Sequence, residues 1–141
     1  METNQTKRGT TMVAVTAALC LSLTIYHEAR GENIFGQLAV AQVVMNRVES
    51  PRYPDTVCGV VTQRKQFSYL NTCDIKCAVQ NVREQQAWKV SQSVANALLQ
   101  GHRISLAATH YHTTWVQPYW SRHETMHPMT TIGNHTFYLE G

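Results

Sequence analysis

Hydrophobic residues recur at helical spacing in three long segments of the chain. An uncharged apolar run over residues 12–25 predicts a first helix over residues 11–30, and Gly31 fits the left-handed position that follows a helix end. Valines four residues apart predict a second helix over residues 35–48. The clearest i, i+3, i+4, i+7 pattern predicts a third helix over residues 81–100.

The segment between the second and third helices is less regular. Two prolines interrupt the helical pattern, after which Asp55 or Thr56 can cap a short helix over residues 57–61. Residues 63–80 show no period, and we expect them to be irregular.

The pattern changes after Gly101, which we expect to end the third helix. Alternation of apolar and polar residues predicts strands over residues 107–113 and 136–139. We expect the stretch between them to be a long ordered loop. Helices followed by short strands indicate an α+β domain, mostly helical with a small β-sheet late in the chain.

Composition supports one domain. Of 141 residues, 43% are hydrophobic and 15% are charged, which suits a single core over residues 11–141 after a polar, frayed segment at residues 1–10. The net charge of +3 forms no basic stripe, so we expect no nucleic-acid partner.

The apolar run over residues 12–25 is shorter than the ~20 residues that span a bilayer, so we interpret it as a buried helix rather than a membrane insertion. A secretory signal is the alternative.

Glu28 is the carboxylate best placed for chemistry. It falls in the last turn of the first predicted helix, where the helix dipole and burial both raise a carboxyl pKa. A raised pKa is what a general acid needs near neutral pH. The alternative is a structural ion pair between Glu28 and Arg30 or Arg47.

No second carboxylate has a clear catalytic position. Glu32 follows Gly31 and is expected in a loop, where it could contact substrate or accept hydrogen bonds from backbone donors. Ordinary glycoside hydrolysis needs a pair of carboxylates. A lone glutamate beside a polar, aromatic groove fits a route in which a hydroxyl of the substrate is the nucleophile.

Seven histidines raise a metal hypothesis. His110 and His112, together with His123 or His127, could supply the three ligands of a zinc hydrolase. No HExxH motif occurs, and ring packing and hydrogen bonding in a substrate groove is the preferred interpretation.

The four cysteines allow several states. Cys58 could bridge to Cys73 or Cys77 in an oxidising compartment, whereas Cys20 is expected to be a free thiol in the core. A nucleophilic Cys58 assisted by His112 is a further alternative.

Aromatic residues cluster late in the chain. Tyr111, Trp115, Tyr119 and Trp120 fall within ten positions, and such rings stack on sugars as readily as they fill a core. The aromatic residues of the 67–69 segment can belong to the same surface.

Several blocks of sequence resemble one known family. They are YHEARGE (26–32), GQLAVAQVVMNRV (36–48), YPDTVCGVV (53–61), QFSY (66–69), VANALLQG (94–101) and THYH…PYW…IGNHTFY (109–138). In order and spacing they resemble the SleB/CwlJ-type cell-wall hydrolases, which include spore-cortex-lytic enzymes and many phage endolysins.

The resemblance implies a lysozyme-like domain that cleaves peptidoglycan between N-acetylmuramic acid and N-acetylglucosamine as a lytic transglycosylase, with no metal or other cofactor. The glutamate of the EARGE block corresponds to Glu28. It would protonate the glycosidic oxygen and then accept the proton of the muramoyl 6-hydroxyl as that group attacks the anomeric carbon. The substrate-binding residues that we predict are Glu32, Gln66, Phe67, Ser68, Tyr111, His112 and Trp120.

The expected partner is the glycan strand of peptidoglycan, and the expected state is a monomer. Small size and the lack of a clear cleavage site favour a phage endolysin, held in the host cytoplasm until holin pores release it to the wall or periplasm. The alternatives are a zinc-dependent N-acetylmuramoyl-L-alanine amidase and a non-catalytic wall-binding module in which Glu28 is structural.

Overall fold

The computed structural model describes residues 14–63, 67–71 and 73–141. Five α-helices and one small sheet form this part of the chain. The helices are α1 (Ala17–Ala29), α2 (Ile34–Val48), α3 (Val57–Val61), α4 (Ile75–Gln80) and α5 (Gln85–Leu99). The strands are β1 (His110–Thr113), β2 (Met126–Ile132) and β3 (His135–Glu140). Short 3-10 helices occur at Ser68–Leu70 and Tyr119–Arg122.

Helix α1 is the centre of the core. All residues from Cys20 to Tyr26 are buried, as expected of a helix that is apolar on every side, and α1 packs against α2, α3 and α5. The apolar run thus forms a buried helix, as predicted. The helix begins later than expected, because the Thr16 side chain caps it by accepting from the Leu19 N–H at 3.1 Å. Residues 11–13 of the predicted helix lie outside the described part.

The expected left-handed glycine after α1 is wrong. The turn closes instead through the Glu32 N–H, which donates to the Ala29 carbonyl oxygen at 2.9 Å, and Gly31 does not have a positive φ. Gly101 does have one, at +101°, and follows the end of α5 as predicted.

Helix α4 lies in the segment that the sequence predicted to be irregular. The Asp74 side chain caps it by accepting from the Cys77 N–H at 2.9 Å. Helix α5 correspondingly begins at Gln85 rather than at residue 81. The backbone just before α5 contacts α1 instead, since the N–H groups of Arg83 and Glu84 both donate to the Tyr26 hydroxyl.

The sheet is antiparallel, with strand order β1-β3-β2. Strand β2 occupies the predicted loop, so that expectation is wrong. Its residues are mostly exposed and do not alternate, and the ladder is irregular between Pro128 and Thr130. A two-residue turn, Gly133 and Asn134, joins β2 to β3, and Gly133 has φ +57°. A Gly-Asn turn is a recognised hairpin signal that could have revealed β2.

Strand β1 is shorter than predicted. Side chains of α2 bind the backbone just before it: Asn46 Nδ2 donates to the carbonyl oxygens of Leu106 and Ala108, both at 2.8 Å. Arg47 Nε donates to the Thr109 carbonyl oxygen at 2.7 Å. These contacts anchor β1 to the helical core.

Two disulfides join the four cysteines. Cys20 is bonded to Cys58, linking α1 to α3, and Cys73 is bonded to Cys77. The pairing of Cys58 with a later cysteine, which the sequence allowed, and the free thiol at Cys20 are therefore wrong. A nucleophilic Cys58 is excluded as well, because its sulfur is in a disulfide. Among the described residues no helix is both long and apolar enough to cross a bilayer.

Candidate active site

Glu28 lies in the last turn of α1 and is partly buried. Its Oε1 accepts a hydrogen bond from the Tyr111 hydroxyl at 2.7 Å. Burial raises the pKa of Glu28, because a low dielectric disfavours the carboxylate, and the hydrogen bond from Tyr111 opposes this with a smaller effect. The carboxyl group therefore has the raised pKa that the sequence predicted.

The ion-pair alternative with Arg30 is wrong. Arg30 Nε contacts Glu84 Oε2 at 2.8 Å, and the salt bridges among the described residues do not include Glu28. Arg47 donates to the Thr109 carbonyl oxygen, and its guanidinium lies over the ring of Phe67, 5.6 Å from the centroid.

Tyr111, in the middle of β1, connects the sheet to this carboxyl group. Its ring faces the helices and contacts His135 and Phe137, at centroid distances of 5.1 and 5.7 Å. Burial, and next to it the charge of Glu28, raise the pKa of Tyr111 well above its ordinary value. The phenol therefore stays protonated, and its hydroxyl acts as the donor.

Tyr69 is a third member of the site; the sequence allowed it a place on the aromatic surface, but the predicted binding residues omitted it. Its hydroxyl lies 2.6 Å from Thr24 Oγ1, and its ring stacks on His27 with centroids 4.9 Å apart. Burial raises the pKa of Tyr69, and the charge of Glu28 adds to the effect. Its position in the QFSY block was the available signal.

The other residues of that block differ in accessibility. Phe67 is 3% exposed and packs in the core, so its predicted contact with substrate is wrong. Ser68 is exposed beside Tyr69 and can reach a ligand. Gln66 lies outside the described residues.

Glu32 joins the α1–α2 turn to the β2–β3 hairpin. Its Oε1 accepts from the Asn134 N–H at 3.0 Å, and its Oε2 accepts from Asn134 Nδ2 at 3.1 Å. The alternative interpretation of Glu32 as an acceptor for backbone donors is confirmed. Its contact with substrate stays a prediction.

His112 and Trp120 lie on the opposite face of the sheet from Tyr111, since side chains alternate along β1. His112 Nδ1 donates to the Thr113 carbonyl oxygen at 2.8 Å, and Nε2 lies 2.8 Å from the Tyr138 hydroxyl. Trp120 packs edge-on against His112 and Tyr138. The structure thus divides the predicted binding residues between two faces.

The late aromatic segment is only partly core. Trp115 and Tyr119 are 70% and 84% exposed, and Trp120 is half-buried. The exposed rings are free to contact a large ligand.

The histidines of the zinc hypothesis do not converge. His110 Nδ1 contacts Thr109 Oγ1, and His123 Nδ1 contacts Thr125 Oγ1. Burial lowers the pKa of His110 to about 4, so the ring is neutral. Within the described ranges, no three His, Cys, Asp or Glu side chains are grouped to hold a metal ion.

A comparison with known families identifies the chain. The profile of the Cell Wall Hydrolase family matches residues 31–138, more than two thirds of the sequence. The chain belongs to this cell wall hydrolase family. The match begins three residues after Glu28.

Curated relatives of this hydrolase are spore cortex-lytic enzymes. The enzyme of Halalkalibacterium halodurans is 46% identical over 48 residues, which is 34% of this chain and 14% of the relative. The enzyme of Bacillus subtilis is 44% identical over 48 residues, 34% of this chain and 16% of the relative. The hydrolase thus matches only a small part of the length of these relatives.

Two solved structures share the fold. The catalytic domain of the germination-specific lytic transglycosylase SleB from Bacillus anthracis has a TM-score of 0.66 and 26% identity, covering 86% of this chain and 93% of that domain. The SleB catalytic domain of Bacillus cereus has a TM-score of 0.62 and 25% identity, covering 96% and 99%. The predicted lysozyme-like α+β class, mostly helical with a late sheet, is confirmed.

Proposed function

We propose that this cell wall hydrolase is a lytic transglycosylase that cleaves peptidoglycan between N-acetylmuramic acid and N-acetylglucosamine, with Glu28 as its acid and base. The observation that carries the proposal is the buried Glu28 carboxyl, which accepts a hydrogen bond from Tyr111 and has a raised pKa. Family membership and the likeness to a lytic transglycosylase domain support it.

The first step is proton donation. Because Tyr111 donates to Oε1, the acidic proton of Glu28 is carried by Oε2. That proton passes to the glycosidic oxygen while the bond from this oxygen to the anomeric carbon breaks. The carboxylate left behind keeps the hydrogen bond from Tyr111, which stabilises the new negative charge.

The second step restores Glu28. The 6-hydroxyl of the muramoyl unit attacks its own anomeric carbon, and its proton passes to the Glu28 carboxylate. The products are a free 4-hydroxyl and a 1,6-anhydromuramoyl end, and no water is consumed. One carboxyl group suffices, whereas a muramidase that uses water as the nucleophile requires two.

The first test replaces Glu28 by Gln, which keeps the shape of the side chain and removes its acidic proton. We expect wall clearing by Glu28→Gln to fall at least ~100-fold, the range for loss of a general acid. Circular dichroism should show an intact fold. Glu124→Gln, an exposed carboxyl change, is the matched control and should clear walls at the parental rate.

Mass spectrometry of the digest identifies the bond that is cut. Anhydromuramoyl ends are expected. Reducing muramoyl ends would indicate a muramidase, freed stem peptides an amidase, and sedimentation with walls without soluble fragments a binding module. Origin as an endolysin, holin release from the host cytoplasm and the monomeric state stay predictions from sequence.

A further inference from the structure

A cavity of about 310 Å³ lies beside the end of α1, against the segment closed by the Cys73–Cys77 disulfide. Its lining is mainly polar and includes Arg30, Arg83, Asn81, Ser68 and Tyr69. The described residues that line it include no Asp or Glu. The cavity, called here the arginine pocket, is therefore positively charged.

Tyr26 contacts the backbone of Arg83 and the side chain of Arg30. The N–H groups of Arg83 and Glu84 donate to its hydroxyl at 3.0 and 2.9 Å. The guanidinium of Arg30 lies over the Tyr26 ring, 4.9 Å from the centroid, and its charge is shared with Glu84. The salt bridges of the described residues do not include Arg83, so Arg83 is the cation available to a ligand.

The disulfide segment forms one wall of the arginine pocket. Asn81 Nδ2 contacts the sulfur atoms of Cys73 and Cys77, each at 3.6 Å. These contacts hold the Asn81 amide at the lining. The sequence assigned no role to this cysteine-bearing segment.

The pocket adjoins Glu28 through His27 and Tyr69. His27 lines the pocket and precedes Glu28 on α1, and its Nε2 donates to the Ala78 carbonyl oxygen at 3.0 Å. Burial lowers the pKa of His27, so the ring is neutral, and the net charge of the pocket comes from Arg83 because Arg30 is paired with Glu84. Tyr69 stacks on His27, and the charge of Glu28 is among the causes that raise its pKa.

We propose that the arginine pocket binds a free carboxylate of the peptide stem carried by the muramic acid at Glu28. This rests on the proposed function, because it requires a glycan strand at that carboxyl. Guanidinium groups bind carboxylates through paired N–H···O bonds, and the stem carries the carboxylates that the sugars next to it lack. The lactyl group and the first stem residues are the parts of the substrate that adjoin the muramic acid, and His27, which adjoins Glu28 on α1, lines the pocket.

The test measures binding in the Glu28→Gln protein, so that strands are not cut. The ligands are phosphate-free peptidoglycan strands with their stems and the same strands after the stem carboxylates have been converted to methylamides, because removing the stems with an amidase would leave a new carboxylate on each lactyl group. We expect the intact strands to bind at least about tenfold more tightly, the effect of a hydrogen-bonded charge pair. Adding Arg83→Gln should abolish the difference, and Arg83→Lys should retain part of it.

Lys89→Gln is the matched control, since Lys89 is exposed on α5 and does not line the pocket. It should keep the preference for intact strands. Equal affinity for both ligands, or a preference that survives Arg83→Gln, would overturn the proposal. Loss of the preference in millimolar inorganic phosphate would also overturn it, since that result indicates an unselective anion site.

Activity of the parental chain, assayed in parallel, separates the two proposals. If no anhydromuramoyl ends form but the stem preference and its dependence on Arg83 hold, the Glu28 mechanism is wrong and the pocket assignment is supported. If anhydromuramoyl ends form without a stem preference, the pocket assignment is wrong.

Discussion

At the scale of single residues, Glu28 and Tyr111 set each other's protonation. Burial raises the pKa of both groups, which favours their protonated forms, and the phenol donates to the carboxyl. After Glu28 has given up its proton, the same hydrogen bond stabilises a carboxylate. The pair is thus suited to a side chain that must act first as an acid and then as a base.

Tyr111→Phe tests this pair. The hydrogen bond from Tyr111 lowers the pKa of Glu28, so its removal raises that pKa further. Because the proposed mechanism requires protonated Glu28, we expect kcat/KM to fall as pH rises through the Glu28 pKa, and this basic limb should move to higher pH. We also expect kcat/KM at its maximum to fall about tenfold to a hundredfold, the contribution of a hydrogen bond to a charged group.

The pH profile of turnover on glycan strands provides the measurement. Tyr138→Phe removes a hydroxyl that contacts His112 on the other face of the sheet, and its basic limb should stay in place. An unmoved basic limb in Tyr111→Phe would contradict the proposed pairing.

The sequence could indicate Glu28 but not its partner. A glutamate that ends an apolar helix is visible locally, since its burial follows from its neighbours in α1. Tyr111 lies 83 positions away, and only the packing of the sheet on the helices brings it to 2.7 Å. Side chains alternate along β1, so Tyr111 and His112 point to opposite faces of the sheet. The two residues were predicted to bind substrate together because they are adjacent in the sequence.

At the scale of elements, Glu32 connects the α1–α2 turn to the β2–β3 hairpin. The hydrogen bonds from Asn134 require the hairpin backbone to come close to the carboxylate. A Cβ atom at Gly133 would overlap Glu32 Oε1, so the carboxylate would have to move away from Asn134, and Gly133 also has φ +57°. The turn therefore favours glycine for two separate reasons.

A double-mutant cycle of Glu32→Ala and Gly133→Ala tests this contact. Gly133→Ala alone should lower the free energy of unfolding by about 2–3 kcal/mol, from left-handed strain and loss of the hydrogen bonds. In the Glu32→Ala background only the strain is left, so the cost should be smaller by about 1 kcal/mol.

Urea unfolding of the four proteins measures this coupling. Gly31→Ala is the control, because Gly31 has open space around its Cβ position and no positive φ, and its effect should stay within about 0.5 kcal/mol. Additive effects of the two substitutions would rule out the connection.

Elements with a buried face were predictable, and those without one were not. The valines of α2 and the apolar stripe of α5 repeat at helical spacing because one side of each helix packs on the core. Strand β2 has exposed residues on both faces, so its sequence carries no alternation. Helix α4 has six residues and depends on the Asp74 cap, which is too local a signal to stand out.

At the scale of the whole molecule, two disulfides of different span stabilise the fold. The Cys20–Cys58 bond joins residues 38 positions apart and links α1 to α3, whereas the Cys73–Cys77 bond joins residues four apart. Closing a longer loop removes more conformational freedom from the unfolded chain. Both bonds persist where thiols are oxidised, which is the condition of extracellular compartments.

Replacing each cysteine pair by alanine should therefore have unequal effects. Loss of the Cys20–Cys58 bond is expected to cost about 4 kcal/mol, and loss of the Cys73–Cys77 bond about 2 kcal/mol. For a domain of this size the first change lowers Tm by roughly 10 °C or more. Thermal unfolding followed by circular dichroism at neutral pH measures both shifts, and an equal or reversed order would contradict the loop-length argument.

The irregular edge of the sheet affects how copies of the protein behave when they gather on one polymer. Open strand edges are where neighbouring chains tend to add to each other's sheets and aggregate. Strand β2 lies at such an edge, but Pro128 offers no N–H and the ladder is irregular just after it. Intermolecular strand addition along β2 is thereby interrupted, which favours dispersal over clumping at high local concentration.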